Sequence, residues 1–141
     1  MDITSAALAT LISAITSAIV ALLITKSNTK KSLDDQLDGI LKIAIQFPYL
    51  ESRDFAASWT SKCDKSDEKI VRYDVYCTLL FNYLSRVSSY YKFNQEKIEK
   101  NLALKDWARI HKNYWHDPLV PHENTDIYDS KFVDIIEKSI R

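Results

Sequence analysis

Glycine, proline and cysteine are nearly missing from this chain. Its 141 residues hold one glycine, Gly39, and three prolines, Pro48, Pro118 and Pro121. Sheet proteins and phosphate-loop nucleotide binders need glycine where the backbone bends tightly, so neither class fits. The two cysteines, Cys63 and Cys77, lack framework spacing and do not staple a domain of this size. They have no nearby partners for a metal either, and His111, His116 and His122 have no convergent spacing. No metal and no cofactor is expected. A basic excess is also missing: the formal net charge is zero. A general nucleic-acid binder shows a basic stripe, and none is evident, although a patch formed on assembly stays open.

Charge is absent from the N-terminus, apart from Asp2. Ile3 to Ile24 contains no charged residue, proline or glycine, and leads into Lys26, Lys30 and Lys31. A helix of that length is ~33 Å long, enough to cross a hydrocarbon core of ~30 Å. A signal peptide wants its bases before the apolar run and a cleavage site after it; here the bases follow. A buried soluble helix is the other rival. Lysine bias places residues 26–141 in the cytoplasm and the N-terminus outside or in the periplasm. The expected domains are 1–31, a transmembrane helix with its basic stretch, and 32–141, a helical domain.

The span has two faces on a helical wheel. Leu8, Leu11, Ile12, Ile15, Ile19 and Leu22 fall on one arc. Ser5, Thr10, Ser13, Thr16 and Ser17 fall roughly opposite, with Ala6 and Ala9 among them, and Ala7, Ala14, Ala18 and Ala21 fill a third sector. A helix alone in lipid needs no such sorting. Small and hydroxyl-bearing residues suit contacts between helices. One reading is a packing seam between copies. The other is a ring around an aqueous path, lined by Thr10, Ser13, Thr16 and Ser17, with Val20 and Ile24 as an apolar constriction able to gate by dewetting. No ionisable residue lies within the span, which argues against a proton relay or voltage sensor.

The remainder reads as all-α, a bundle of four or five helices. Ser32 is a candidate cap for a helix carrying Leu33, Leu37, Ile40, Leu41, Ala44 and Ile45 and ended by Pro48. If the span continues through residues 26–32, the two helices are one. A short helix or turn covers Arg53 to Trp59. Asp67 opens a long helix, apolar nearly all round in its centre and therefore expected at the middle of the bundle. Asn94 caps another, running to Asp117-Pro118, and a last short helix starts near Tyr128. Tyr73, Tyr76, Tyr83, Tyr90 and Tyr91 could stack bases, but helical spacing favours core and interface roles.

Chemistry is densest from Trp107 to Asp117. On one continuous helix Arg109, Asn113 and His116 share a face, and His111 falls off it toward solvent. A guanidinium, an amide and an imidazole together could cleave RNA without metal, the imidazole moving a proton and the guanidinium steadying a phosphorane. The same residues also suit a helix C-terminus, where they satisfy carbonyls and the helix dipole, or an interface.

Arg109 to His116 resembles the arginine–x(4–6)–histidine signature of the HEPN superfamily, helical domains that often dimerise into metal-independent ribonucleases. Ile110 stands where that family usually has a polar residue. The surrounding W-x-R-x-H-x-x-Y-W pattern is similar to a group of small membrane-anchored bacterial proteins. The whole layout resembles the membrane-anchored accessory proteins of type VI, RNA-targeting CRISPR systems. That resemblance implies an HEPN-like bundle after one span and a homo-oligomeric, octameric ring forming a pore in the bacterial inner membrane. It implies depolarisation in antiviral defence, in functional partnership with an RNA-guided RNA nuclease, and structural or interface roles for Arg109 and His116. The alternatives are a membrane-tethered HEPN ribonuclease and a non-enzymatic dimeric adaptor.

Overall fold

The computed structural model describes residues 3–141, with side chains from Thr10 onward. Asp2 and the side chains of Ser5, Ala6, Ala7, Leu8 and Ala9, which enter the sequence reading above, lie outside the described residues. The chain is all-helical, with no strand among the described residues. It divides into two compact units, Met1–Asp35 and Gln36–Arg141.

Helix α1 runs from Ile3 to Gln46. Nothing in its sequence breaks the hydrogen-bond ladder, and residues 26–32 continue it. Ser32 is therefore inside a helix and caps nothing. The candidate membrane-spanning stretch has a mean hydropathy of 1.7 in its most apolar window, and none of that window is buried. The helix ends where Pro48 removes a backbone donor. Phe47 leaves helical geometry, and Pro48–Glu51 forms a 3₁₀ turn with proline at its start.

The second unit is built by local capping. Ser52 Oγ accepts from Phe55 N and opens α2 (Arg53–Ala57). Asp67 accepts from Lys69 N at 2.8 Å and opens α3 (Glu68–Tyr90). Asn94 accepts from Lys97 N at 2.9 Å and opens α4 (Gln95–Asn101). Asp129 does the same for Lys131 N ahead of the last helix. Each such cap is worth about 1 kcal/mol.

Beyond Asn94 the single expected helix is three: α4, α5 (Leu104–Ile110) and α6 (Lys112–His116). Leu102 is extended and closes α4, where Asn101 Nδ2 donates to Lys97 O at 2.8 Å. The reason is phase. Ile98 and Leu104 are both buried. On one straight helix their six-residue offset would turn them to different faces. A short α7 (Glu123–Asp126) lies between Pro118 and Tyr128, where no helix is expected from the sequence, and α8 (Ser130–Ile140) packs on α5.

Helix α3 supplies much of the core through Tyr73, Tyr76, Cys77, Leu80, Phe81, Leu84 and Val87. Burying a Leu- or Phe-sized side chain is worth about 1.5–3 kcal/mol. Phe81 lies 4.8 Å from the Trp115 ring and Trp59 lies 5.2 Å from both Tyr73 and Tyr114, centroid to centroid. The helix is nonetheless not apolar-buried all round: Val71, Val75 and Leu79 are exposed along one side. Three of the five tyrosines, Tyr73, Tyr76 and Tyr83, are core residues.

With so little glycine, the turn after α3 uses other residues in the left-handed region: Lys92 at φ 54° and Phe93 at φ 58°. The N–H of Phe93 donates to Ser88 O at 2.7 Å, closing the helix. A side chain there is strained by about 1 kcal/mol. Lys92→Gly should therefore raise stability by up to about 1 kcal/mol, read as a higher thermal midpoint of the detergent-solubilised chain. A lower midpoint would refute the strain.

Candidate functional site

Three places in the chain could carry function: the segment from Arg109 to His116, a buried polar cluster beside it, and the sorted face of α1.

The structure sends the three candidate residues of the segment to three partners. Arg109 Nε donates to Ser139 O, near the end of α8, at 3.1 Å. Asn113 Nδ2 donates to Ala57 O, at the end of α2, at 2.8 Å. His116 Nε2 lies 3.2 Å from Glu137 Oε1 on α8, and Trp115 Nε1 donates to the same oxygen at 2.8 Å. Each therefore ties its segment to another element. The turn at His111 separates α5 from α6, so the offsets of one continuous helix do not apply across it. A cleft of about 110 Å³ lies beside His116, lined also by Pro118, His122, Asn124 and Glu137. Among the described residues no group of three histidine, cysteine, aspartate or glutamate side chains could hold a metal.

His111, expected to face solvent, is completely buried. Its Nδ1 lies 2.8 Å from the Tyr73 hydroxyl and 3.7 Å from Cys77 Sγ. Its Nε2 lies 3.4 Å from Glu51 Oε1. A carboxylate oxygen only accepts, so Nε2 carries a proton toward Glu51, while Nδ1 and the Tyr73 hydroxyl share the other hydrogen bond. Glu51 also accepts from the Tyr76 hydroxyl. Burial pushes the Glu51 carboxyl up, but the bonds from His111 and Tyr76 outweigh it and hold the group below the usual carboxylate range. Burial, helped by the nearby carboxylate, drives the Tyr73 and Tyr76 phenols and the Cys77 thiol well above their usual ranges. The thiol is thus protonated and enclosed, unlike a nucleophile. The cluster is a structural joint. Sequence reasoning missed it because its members lie up to 60 residues apart.

On α1, the residues of the hydroxyl-bearing arc with described side chains, Thr10, Ser13, Thr16, Ser17, Val20 and Ile24, are all exposed, as are Leu11, Ile12, Ile15, Ile19 and Leu22 on the branched arc. Thr16 Oγ1 donates to Ile12 O at 2.9 Å, and Thr25 to Ala21 O at 2.9 Å. These hydroxyls are satisfied by their own helix. Ser13 and Ser17 have no such bond among the described residues.

The chain matches no protein-family model, no curated protein and no solved structure.

The joint makes two predictions. His111→Ala strands the Tyr73 hydroxyl and one side of Glu51, so it should destabilise the chain by roughly 2–4 kcal/mol in a denaturant titration followed by tryptophan fluorescence. Because folding lowers the Glu51 pKa, its contribution is full above the ordinary carboxylate range and is lost as the pH falls through its folded value. The stability gap between the native chain and Glu51→Gln should accordingly be widest near neutral pH and shrink on acidification. A gap independent of pH would remove the charged role of Glu51.

Proposed function

We propose that this chain is a single-span membrane protein whose copies assemble through the hydroxyl-bearing side of α1 into a pore. The observation that carries the reading is an apolar stretch with none of its most apolar window buried and with Thr10, Ser13, Thr16 and Ser17 turned away from the branched arc. Apolar surface left uncovered in this way calls for lipid or for other helices. Ser13 and Ser17, whose hydroxyls lack a bond to their own helix among the described residues, call for a neighbour that lipid does not supply. In a ring, Val20 and Ile24 form the constriction on the lined side. Lysine bias puts the N-terminus outside and residues 26–141 in the cytoplasm. The HEPN-like reading of the bundle, the bacterial inner membrane and a partnership with an RNA-guided RNA nuclease in antiviral defence rest on the resemblance of motif and layout, and belong to the same proposal.

The ribonuclease alternative is less well supported. A phosphorane needs a guanidinium and an imidazole converging on one open site. Here Arg109 is occupied by a backbone carbonyl and His116 by a carboxylate.

Polar substitution in the constriction, Val20→Ser or Ile24→Ser, should remove a dewetting barrier and raise ion flux across liposomes severalfold. Unchanged flux with both variants would refute the gate. A closed, non-conducting helix pair would favour the adaptor instead.

A further inference from the structure

A groove of about 240 Å³ runs between the C-terminal part of α1 and α3, lined by Gln36, Gly39, Ile40, Ile43, Leu79 and Tyr83. Gly39 is the sole glycine of the chain, and it sits inside a helix, where glycine is disfavoured by about 1 kcal/mol relative to alanine. Its φ is not positive, so no backbone strain requires it. A Cβ added there would meet nothing within 4 Å, so no packing inside the chain requires it either. What glycine does supply is room for another backbone or side chain to come close.

The same stretch of α1 carries a complementary feature. Leu41 and Ile45, one helical turn apart, form an exposed apolar ridge, and Ile45 is 78% exposed. Gly39 and Leu41 are two residues apart, so the ridge lies about 200° around the helix from the groove. Groove and ridge therefore occupy opposite flanks of one helix at nearly the same height. A two-fold contact would place groove against groove and leave both ridges bare. A head-to-tail contact uses both surfaces and repeats, closing into a ring when the rotation allows.

Charge agrees with this pairing. Asp38 borders the ridge, and Arg86 lies on α3 along the same outward face as Leu79; both are exposed. Neither takes part in an ion pair among the described residues. The C-terminal part of α1 and α3 run antiparallel, since the Arg72 guanidinium sits 4.1 Å over the Phe47 ring while Leu79 and Tyr83, later in α3, line one groove with the earlier α1 residues Gln36 to Ile43. Arg86 follows Tyr83 by one turn of α3, beyond the Gln36 end of the groove, so an incoming ridge would bring its Asp38 toward a cation unpaired among the described residues.

We propose that the groove seats the Leu41–Ile45 ridge of a second copy of this chain in a head-to-tail contact. The inference rests on the oligomeric reading above and names the contact outside the span that builds the ring.

Cysteine cross-linking of the full chain in its membrane tests it, on a Cys63→Ser background with a short bismaleimide; Cys77 is buried. Gly39→Cys together with Leu41→Cys in one chain should give a ladder of covalent multimers beyond the dimer, and each single variant should remain monomeric. Dimers from Gly39→Cys alone would show a two-fold contact and overturn the proposal. So would an absence of multimers from the double variant while Ser17→Cys still cross-links copies. That result would leave the span assembly standing, with some other partner on the groove. No cross-link from Ser17→Cys, together with a monomeric mass in detergent, would instead remove the assembly itself. As a second measurement, Gly39→Leu should fill the groove and shift the detergent-solubilised mass toward monomer with helical circular dichroism unchanged. An unchanged oligomeric mass would count against the contact.

Discussion

The His111 ring is where three separate stretches of the domain meet. One nitrogen faces Glu51 in the 3₁₀ turn after α1, the other faces Tyr73 on α3, and the backbone of His111 joins α5 to α6. A half-buried carboxylate is costly to desolvate unless donors surround it. The Tyr76 hydroxyl on α3 and His111 Nε2 at the end of α5 supply them. The position of the turn, the rotation of α3 and the break between α5 and α6 are therefore fixed by a single requirement. Around this joint the aromatic side chains Trp59, Tyr73 and Tyr114 close against one another and keep water from competing for its bonds.

Much of the architecture could be read from local signals because local physics controls it. Asp67, Asn94 and Pro48 announce helix ends through a side-chain acceptor or a missing donor, and the structure uses all three where expected. The apolar run of α1 is legible for the same reason, since length and hydropathy belong to the segment alone. Ser32 misled because a cap-forming residue does not stop a helix whose ladder is intact on both sides. The breaks at Leu102 and His111 were illegible because no proline or glycine marks them. The first arises from burial, with Ile98 and Leu104 seeking the same core, and the second lies at the buried His111, whose partners are on other elements.

The candidate site was the least legible part. Arg109, Asn113 and His116 were grouped by assuming one uninterrupted helix, and their partners lie on α2 and α8, which a helical wheel does not contain. His111 was assigned to solvent on the same assumption. Its partners are separated from it by 34 to 60 residues, and polar residues that satisfy one another across such distances leave no periodic trace. A histidine flanked by Trp107, Tyr114 and Trp115 was the one available hint, since an imidazole in aromatic company is commonly enclosed.

The span calls for neighbours in a more specific way than its composition suggests. Threonine hydroxyls that donate to carbonyls one turn back, as Thr16 and Thr25 do, can face hydrocarbon without an orphaned donor. They therefore say little about what surrounds the helix. Ser13 and Ser17 have no such bond within the chain among the described residues, and in a bilayer an unpaired hydroxyl is unfavourable by a few kcal/mol at most. Two serines one turn apart on the same side place that demand on a narrow strip. A neighbouring helix or a file of water satisfies it and acyl chains do not. The demand is too small to hold copies together alone, because interhelical hydrogen bonds average only about 0.6 kcal/mol. An assembly of the kind proposed above then needs apolar contact elsewhere in the chain, and the exposed Leu41–Ile45 ridge and the groove beside Gly39 offer apolar surface of that kind.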